Sequence, residues 1–350
     1  MRKFIKALIR KYPSCRFITI IFIIWRLNLE LLNFLGRFIL PEKNSFFGTI
    51  PWANFDGVHY LSIAKSGYFQ YEQAFFPLYP LLIRFLAPLF GGNFVISGFI
   101  ISNLSLLFSL FIFWKLIGLD ELKLNSEKRK WVLIFFLFFP TAFFFGSLYT
   151  ESLFLLLILG SFYFLYKKKI FLFAILASLS SAVRLVGAFL LVPVGLIGYM
   201  FYLAKEFADP LIFIHAQPAF GAGRSGGDLI LLPQVYYRYL KIFLTVPFSS
   251  YDFFIAVLEF FMFHLSLYLL YLAWRKRKIP ESWLLFSLAV VLGPTLTGSL
   301  SSMPRYILAA FPIFIVLGSL DIRKRKKIFI LFYLLFCVLT ILFTRGYWIS

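Results

Sequence analysis

The chain has 350 residues, 61% of them hydrophobic, 21% aromatic and only 14% charged, with a formal net charge of +20. Soluble domains run nearer half apolar and a quarter charged, so these proportions exclude collagen-like, disordered, disulfide-rich and coiled-coil classes as well as an ordinary soluble domain. With a mean hydropathy of +0.88, a polytopic membrane protein remains, and the basic excess then reports orientation rather than nucleic-acid binding.

Twenty-two of the 35 Lys and Arg residues fall in five clusters beside hydrophobic runs. These are Arg2, Lys3, Lys6, Arg10, Lys11 and Arg16; Lys123, Lys128, Arg129 and Lys130; Lys167–Lys169; Arg275–Lys278; and Arg323–Lys327. If all five face the cytoplasm, each stretch between them crosses the bilayer an even number of times. The basic start and the apolar run from Phe17 imitate a signal peptide. No small-residue cleavage site follows, and Arg26 and Glu30 interrupt the run, so residues 1–40 read as a basic terminus and a retained first helix.

Residues 41–92 form a large first outer loop. Asp56 is placed to cap a short helix ending at Gly67, with Val58, Leu61, Ile63 and Ala64 turned partly toward lipid. Phe75–Arg84 contains two prolines and an arginine, which favours a re-entrant or interfacial helix over a full crossing. Residues 93–204 form a helical core, beginning with a helix near Asn93–Leu119.

Three apolar stretches follow, each with one charge: Glu151 between Trp131 and Tyr166, Arg184 between Ile170 and Ala204, and Arg305 between Ser282 and Leu320. Each reads as a helical hairpin with its charge near the far turn. Legs of roughly 15 residues reach only ~22 Å against a ~30 Å hydrocarbon core, so the turns sink below the outer surface. Glu151 and Arg184 pairing merely to fix packing is one reading. A polar site inside an apolar protein is the other, since intramembrane charges normally face a cavity or a partner.

Residues 205–250 are a variable amphipathic segment, and 251–350 hold the C-terminal helices. The Gly221–Gly227 loop matches G-x-G-x-x-G, but no strand precedes it, so it is not read as dinucleotide-binding. Leu231–Ser249 contains Arg238 and Lys241. If it crosses the bilayer, His215 and Gln217 are cytoplasmic; if it lies on the surface, the helix count changes parity. The sum is one integral-membrane domain over 1–350, an all-α polytopic membrane protein with about 9–11 transmembrane helices.

Few carboxylates remain outside: Glu42, Asp56, Glu72 and Glu151, with Asp209 and Asp228 undecided. No Asp-x-Asp pair, zinc spacing or Ser-His-Asp constellation occurs, and Cys15 and Cys337 suggest no disulfide. One Asp, two arginines on outer turns and aromatic surroundings do assemble. An Asp can take the proton of an attacking hydroxyl, arginines can hold a departing phosphate, and aromatic faces suit sugar rings and isoprenoid tails. A single base without a second carboxylate nucleophile favours direct displacement with inversion.

The run from Trp52 to Tyr68, followed by Ala74–Pro80, resembles the signature of the PIG-V family of GPI mannosyltransferase 2 and its prokaryotic relatives, of the GT-C superfamily. Phe139-Pro140-Thr141 leading to Tyr149–Phe154, Ser180–Gly187 and Ser302–Tyr306 resemble its further motifs, and Phe55 stands where relatives often carry Trp. The resemblance implies a GT-C-type fold, a polyprenyl-phosphate-mannose donor, no required metal or other cofactor, and an outer-loop catalytic Asp, which maps to Asp56. The expected activity is inverting transfer of a mannose or similar hexose to a lipid or glycan acceptor. Arg184 and Arg305 would contact the donor phosphate, and Glu151 would orient Arg184 or the acceptor. Trp52, His59, Tyr60 and Tyr306 would line the sugar site. The expected setting is the non-cytoplasmic face of a prokaryotic plasma membrane, or of the endoplasmic reticulum if the source is eukaryotic, with membrane lipids and no nucleic acid as partners. The rival reading is a lipid or ion transporter whose charges line a pathway.

Overall fold

A computed structural model describes residues 13–43, 50–275 and 279–349. The basic residues Arg2, Lys3, Lys6, Arg10, Lys11, Lys276, Arg277 and Lys278 lie outside these. The described residues form helices and no strand, with four helices long and apolar enough to cross a membrane: α1 (Pro13–Ile39), α4 (Phe94–Leu116), α10 (Tyr251–Arg275) and α13 (Ile322–Thr344). A 23-residue helix is ~35 Å long, enough for the ~30 Å hydrocarbon core. Asn93 starts α4 by accepting the Ile96 backbone N–H at 3.0 Å, and Asp321 starts α13 by accepting that of Lys324 at 3.0 Å.

Between these run shorter elements. Two belong to the first outer loop, α2 (Asp56–Ser66) and α3 (Leu78–Leu86). The others form the hairpins: α5 (Ser126–Leu137) with α6 (Glu151–Tyr166), α7 (Ile170–Ser181) with α8 (Val194–Phe207), and α11 (Glu281–Leu292) with α12 (Pro312–Gly318). At 16 and 12 residues, α6 and α7 reach ~24 and ~18 Å. Both are shorter than the ~30 Å hydrocarbon core.

Packing centres on α4 and α6, which share the most extensive helix contact. The small residues Ser97, Ser102, Ser105 and Ser109 are buried in α4, so the backbones approach closely where bulky side chains would hold them apart. Ser102 Oγ lies 2.8 Å from the Tyr79 hydroxyl and donates to the Tyr149 carbonyl at 3.3 Å, tying α3, α4 and the α5–α6 turn together. Much of the core is aromatic. The rings of Phe139 and Phe314, for example, meet edge-to-face at 5.4 Å.

The undecided segment resolves as an amphipathic helix, α9 (Leu232–Thr245), with Val235 and Tyr239 buried and Leu240 and Leu244 exposed. Fourteen residues with Arg238 and Lys241 among them are too short and too polar to span. Gln217 and Asp56 line one cavity, so the two residues share one side of the protein.

Two expectations for α2 are also corrected. Asp56 is the first residue of the helix and makes no capping bond, because its carboxylate is drawn to an arginine instead. Ile63 and Ala64 are buried in protein rather than turned to lipid, since α2 lies against α3 and α4.

Candidate active site

The approach to Asp56 is pinned from three sides. The Leu148 N–H donates to the Trp52 carbonyl at 2.7 Å, the Tyr149 hydroxyl donates to the Asn54 carbonyl at 2.6 Å, and Asn54 Nδ2 donates to the Phe343 carbonyl at 2.8 Å. Within that clamp Phe55 adopts φ 58°, ψ −115°, the geometry of the first central position of a type II′ turn, which glycine favours. A non-glycine residue held there stores about 1–3 kcal/mol of strain, and such strain persists only where the surroundings over-determine it. The Phe55 ring packs edge-on to Trp348 at 5.0 Å and lies 6.2 Å from Phe343. Behind the turn, a Cβ on Gly57 would come within 3.2 Å of Ala53 Cβ and 3.3 Å of the Leu148 carbonyl oxygen, so a larger residue would need its neighbours to give by a few tenths of an ångström.

From Asp56 a chain of four alternating charges runs through the turns of all three hairpins. Arg305 Nη1 donates to Asp56 Oδ2 at 2.5 Å, and its Nε lies 3.2 Å from Glu151 Oε1. The same Glu151 oxygen accepts from Arg184 Nη1 at 2.6 Å. Arg305 comes from the one-turn helix Met303–Tyr306, Glu151 opens α6, and Arg184 follows α7. Glu151 is 4% exposed and Arg305 8%, so the pairs are screened little by water. Aromatic faces flank both cations: Arg184 lies 5.0 Å from the Tyr306 ring and Arg305 5.5 Å from that of Tyr149. Burial pushes the Asp56 carboxyl up, but the Arg305 charge and hydrogen bond outweigh it, with a smaller pull from Arg224. The result lies below the ordinary value. Oε2 of Glu151 is buried without a hydrogen-bond partner among the described residues.

These groups open onto a cavity of about 660 Å³. Asp56, His59, Tyr60, Arg184, Arg305 and Tyr306 line it. His59 is braced by Glu72, with Nδ1 3.1 Å from Oε1, and stacks on Phe75 at 4.8 Å. Burial raises the Glu72 carboxyl, while hydrogen bonds from His59 and the Phe69 N–H bring it below its ordinary value.

Trp52 is not among the lining residues. Its ring lies beneath the Arg26 guanidinium at 4.9 Å and its Nε1 donates to Glu30 at 3.4 Å, with Arg26 and Glu30 themselves ion-paired on α1. Glu151 is likewise absent from the lining and pairs with both arginines.

Sequence reasoning missed Arg224 and Gln217, which line the cavity together with Trp348. Arg224 was visible as a lone cation in a glycine-rich loop, a composition that lets backbone approach a ligand closely. Among the described residues, no group of three His, Cys, Asp or Glu side chains is placed to hold a metal ion.

The family model described as Mannosyltransferase (PIG-V) matches residues 37–216, just over half of the chain and including Asp56, Glu151 and Arg184. GPI mannosyltransferase 2 of Schizosaccharomyces pombe is 29% identical over 218 residues, which cover 61% of this chain. The match spans 46% of that protein, so the chain covers about half of its relative's length. No solved structure matches. With a family match over more than half its length and the matched motifs converging on one cavity, the chain belongs to the PIG-V mannosyltransferase family.

Proposed function

We propose that this protein transfers a mannose from a polyprenyl-phosphate-linked donor to a hydroxyl of a lipid or glycan acceptor, inverting the anomeric centre. The observation that carries this reading is the chain Asp56–Arg305–Glu151–Arg184 at the wall of an aromatic cavity in a member of this family. Asp56 takes the proton of the acceptor hydroxyl as its oxygen attacks the anomeric carbon. The bond from that carbon to the phosphate oxygen breaks, and its electron pair leaves on the phosphate. Arg305 and Arg184 face the charge that develops there, while Glu151 holds both in place. His59, Tyr60 and Tyr306 surround the sugar.

The opposing ends of α6 and α7 support a site on the non-cytoplasmic face of the membrane. Glu151 opens α6 and Arg184 follows α7, whereas Lys167–Lys169 joins the other ends of the two helices. A prokaryotic plasma membrane fits this arrangement, and the whole of 1–350 is taken as one catalytic domain. A transporter would string charges along a path, whereas here they neutralise one another in one cluster.

The test is incubation of membranes with labelled polyprenyl-phosphate-mannose. Wild type should yield a labelled acceptor of inverted configuration, and Asp56→Asn should not. Undiminished transfer by Asp56→Asn would remove Asp56 from the chemistry.

A further inference from the structure

The four-charge chain carries no net charge. A polyprenyl phosphodiester brings one negative charge into the cavity, and the arginines nearest Asp56 already hold carboxylates. One further cavity cation has no carboxylate in ion-pair contact among the described residues. Arg224 donates from Nη2 to Ser301 Oγ and Ser302 Oγ, each at 3.3 Å, and from Nη1 to Gln217 Oε1 at 3.5 Å. Asp228 also lines the cavity but is exposed and forms no ion pair among the described residues. The nearby Glu259 of α10 accepts the Tyr239 hydroxyl at 2.5 Å instead of pairing with Arg224.

Resting on the reading of the site as a polyprenyl-phosphate-dependent transferase, we infer that Arg224, with the hydroxyls of Ser301 and Ser302, is the primary binding site for the donor phosphate. Arg305 and Arg184 then serve the reacting centre. Long hydrogen bonds to neutral acceptors leave a guanidinium ready to exchange them for a pair with anionic phosphate oxygens, which is shorter and stronger. Each serine hydroxyl that accepts from Arg224 still has its own O–H to donate, so guanidinium and hydroxyls can converge on one anion.

The loop bearing Arg224 is held in place for this. Gly221, Ala222 and Gly223 take φ values of 74°, 56° and 61°, positive backbone angles that glycine adopts at little cost. The Ser225 N–H donates to the Thr297 carbonyl at 2.9 Å. Arg238 of α9 donates from one nitrogen to the Gly223 carbonyl at 2.8 Å and the Gly298 carbonyl at 2.7 Å. The cation that kept α9 from reading as a membrane span thus fastens the Arg224 loop to the segment leading into Ser301, Ser302 and Arg305.

Apolar residues continue from the proposed phosphate site to the outside. Leu185, Phe189, Leu229 and Leu296 all line the cavity, and each is exposed at its rim, Leu229 by 76%. In an apolar bilayer such a rim gives an isoprenoid tail a lateral way out while its phosphate stays at Arg224. Arg224 and Leu229 also lie beyond the residues 37–216 that match the family model.

The experiment measures binding separately from transfer. Full-length protein in detergent is titrated with polyprenyl phosphate, with the polyprenol of the same chain length, and with phosphatidylglycerol as an alternative source of lipid phosphate. Wild type should prefer polyprenyl phosphate over both. Arg224→Ala and Arg224→Gln should bind it roughly 10- to 100-fold more weakly, the range for a lost charge-assisted contact, with polyprenol binding unchanged. Arg224→Lys should retain part of the preference, and it separates lost charge from lost folding should the neutral variants fail to fold. In the transfer assay, Arg224→Lys should raise the donor KM while leaving the acceptor KM unaltered.

Full preference for the phosphate in Arg224→Gln overturns the inference, as does wild type binding phosphatidylglycerol or polyprenol equally well. Wild type that transfers no mannose while its phosphate preference still depends on Arg224 overturns the proposed activity and leaves the subsite standing.

Discussion

Arg305 donates to Asp56 at 2.5 Å and so joins the first outer loop to the last apolar hairpin. The pair sets the state of the proposed base. Its arginine sits between two carboxylates, Asp56 and Glu151, so changes at any of the three are felt by the others.

Replacing Asp56 by Asn should reduce transfer by about 100- to 10,000-fold, the range for loss of a positioned general base. Stability should fall by only about 1–3 kcal/mol, because Arg305 keeps Glu151 as a counter-ion and an amide oxygen can still accept its hydrogen bond. Transfer assays with thermal melting of the same preparation check both halves.

The pH profile should respond to Arg305. Burial alone raises the Asp56 carboxyl, and the Arg305 charge brings it below its ordinary value, so in wild type the base stays ionised throughout neutral and mildly acidic conditions. Stability from this ionised form is present above the unfolded-state pKa of about 3.9 and is lost as pH falls through the lower folded value. In Arg305→Gln the largest offset to burial is removed, so the acid limb of kcat should move to higher pH. An acid limb at the wild-type position would contradict the coupling.

Glu151 partners two arginines at once, Arg305 buried and Arg184 partly buried. Glu151→Gln should therefore cost about 3–5 kcal/mol, the usual consequence of stranding buried charge. Adding Arg184→Gln removes one of the stranded cations, so the double variant should be less destabilised than the sum of the single changes by about 0.5–3 kcal/mol. Melting temperatures in one detergent are enough to close this cycle.

Trp52 separates packing from chemistry. Trp52→Phe keeps an aromatic ring beneath Arg26 and loses the N–H bond to Glu30, so stability should drop by about 1 kcal/mol. Donor KM and kcat should stay within about twofold of wild type, because the ring is outside the cavity. A large rise in donor KM would place Trp52 back at the sugar.

How far the sequence leads varies with the physics behind each feature. Glu151, Arg184 and Arg305 stand out because an apolar hairpin tolerates a charge only where it meets a cavity or a partner, so one ion per hairpin marks one end of each. Which charge meets which is a tertiary matter, and the link from Arg305 to Asp56 has no local signature. Trp52 misleads because an interfacial tryptophan and a sugar-stacking tryptophan have the same composition around them. Its real partners, Arg26 and Glu30, were visible only as interruptions of α1. Arg224 was passed over because its loop was tested against a strand-dependent phosphate motif, whereas here a helix and a neighbouring loop provide the support.

The ion pair at the heart of the site also has a schedule. Asp56 and Arg305 lie 249 positions apart. At about 5–20 residues per second, synthesis separates their emergence by about 12–50 s. Throughout that interval the first outer loop is already made, while the cation that settles its carboxylate does not yet exist. Completion of the cluster therefore waits on the hairpin that carries Arg305, and a nascent chain halted before it holds Asp56 without the means to position its carboxylate.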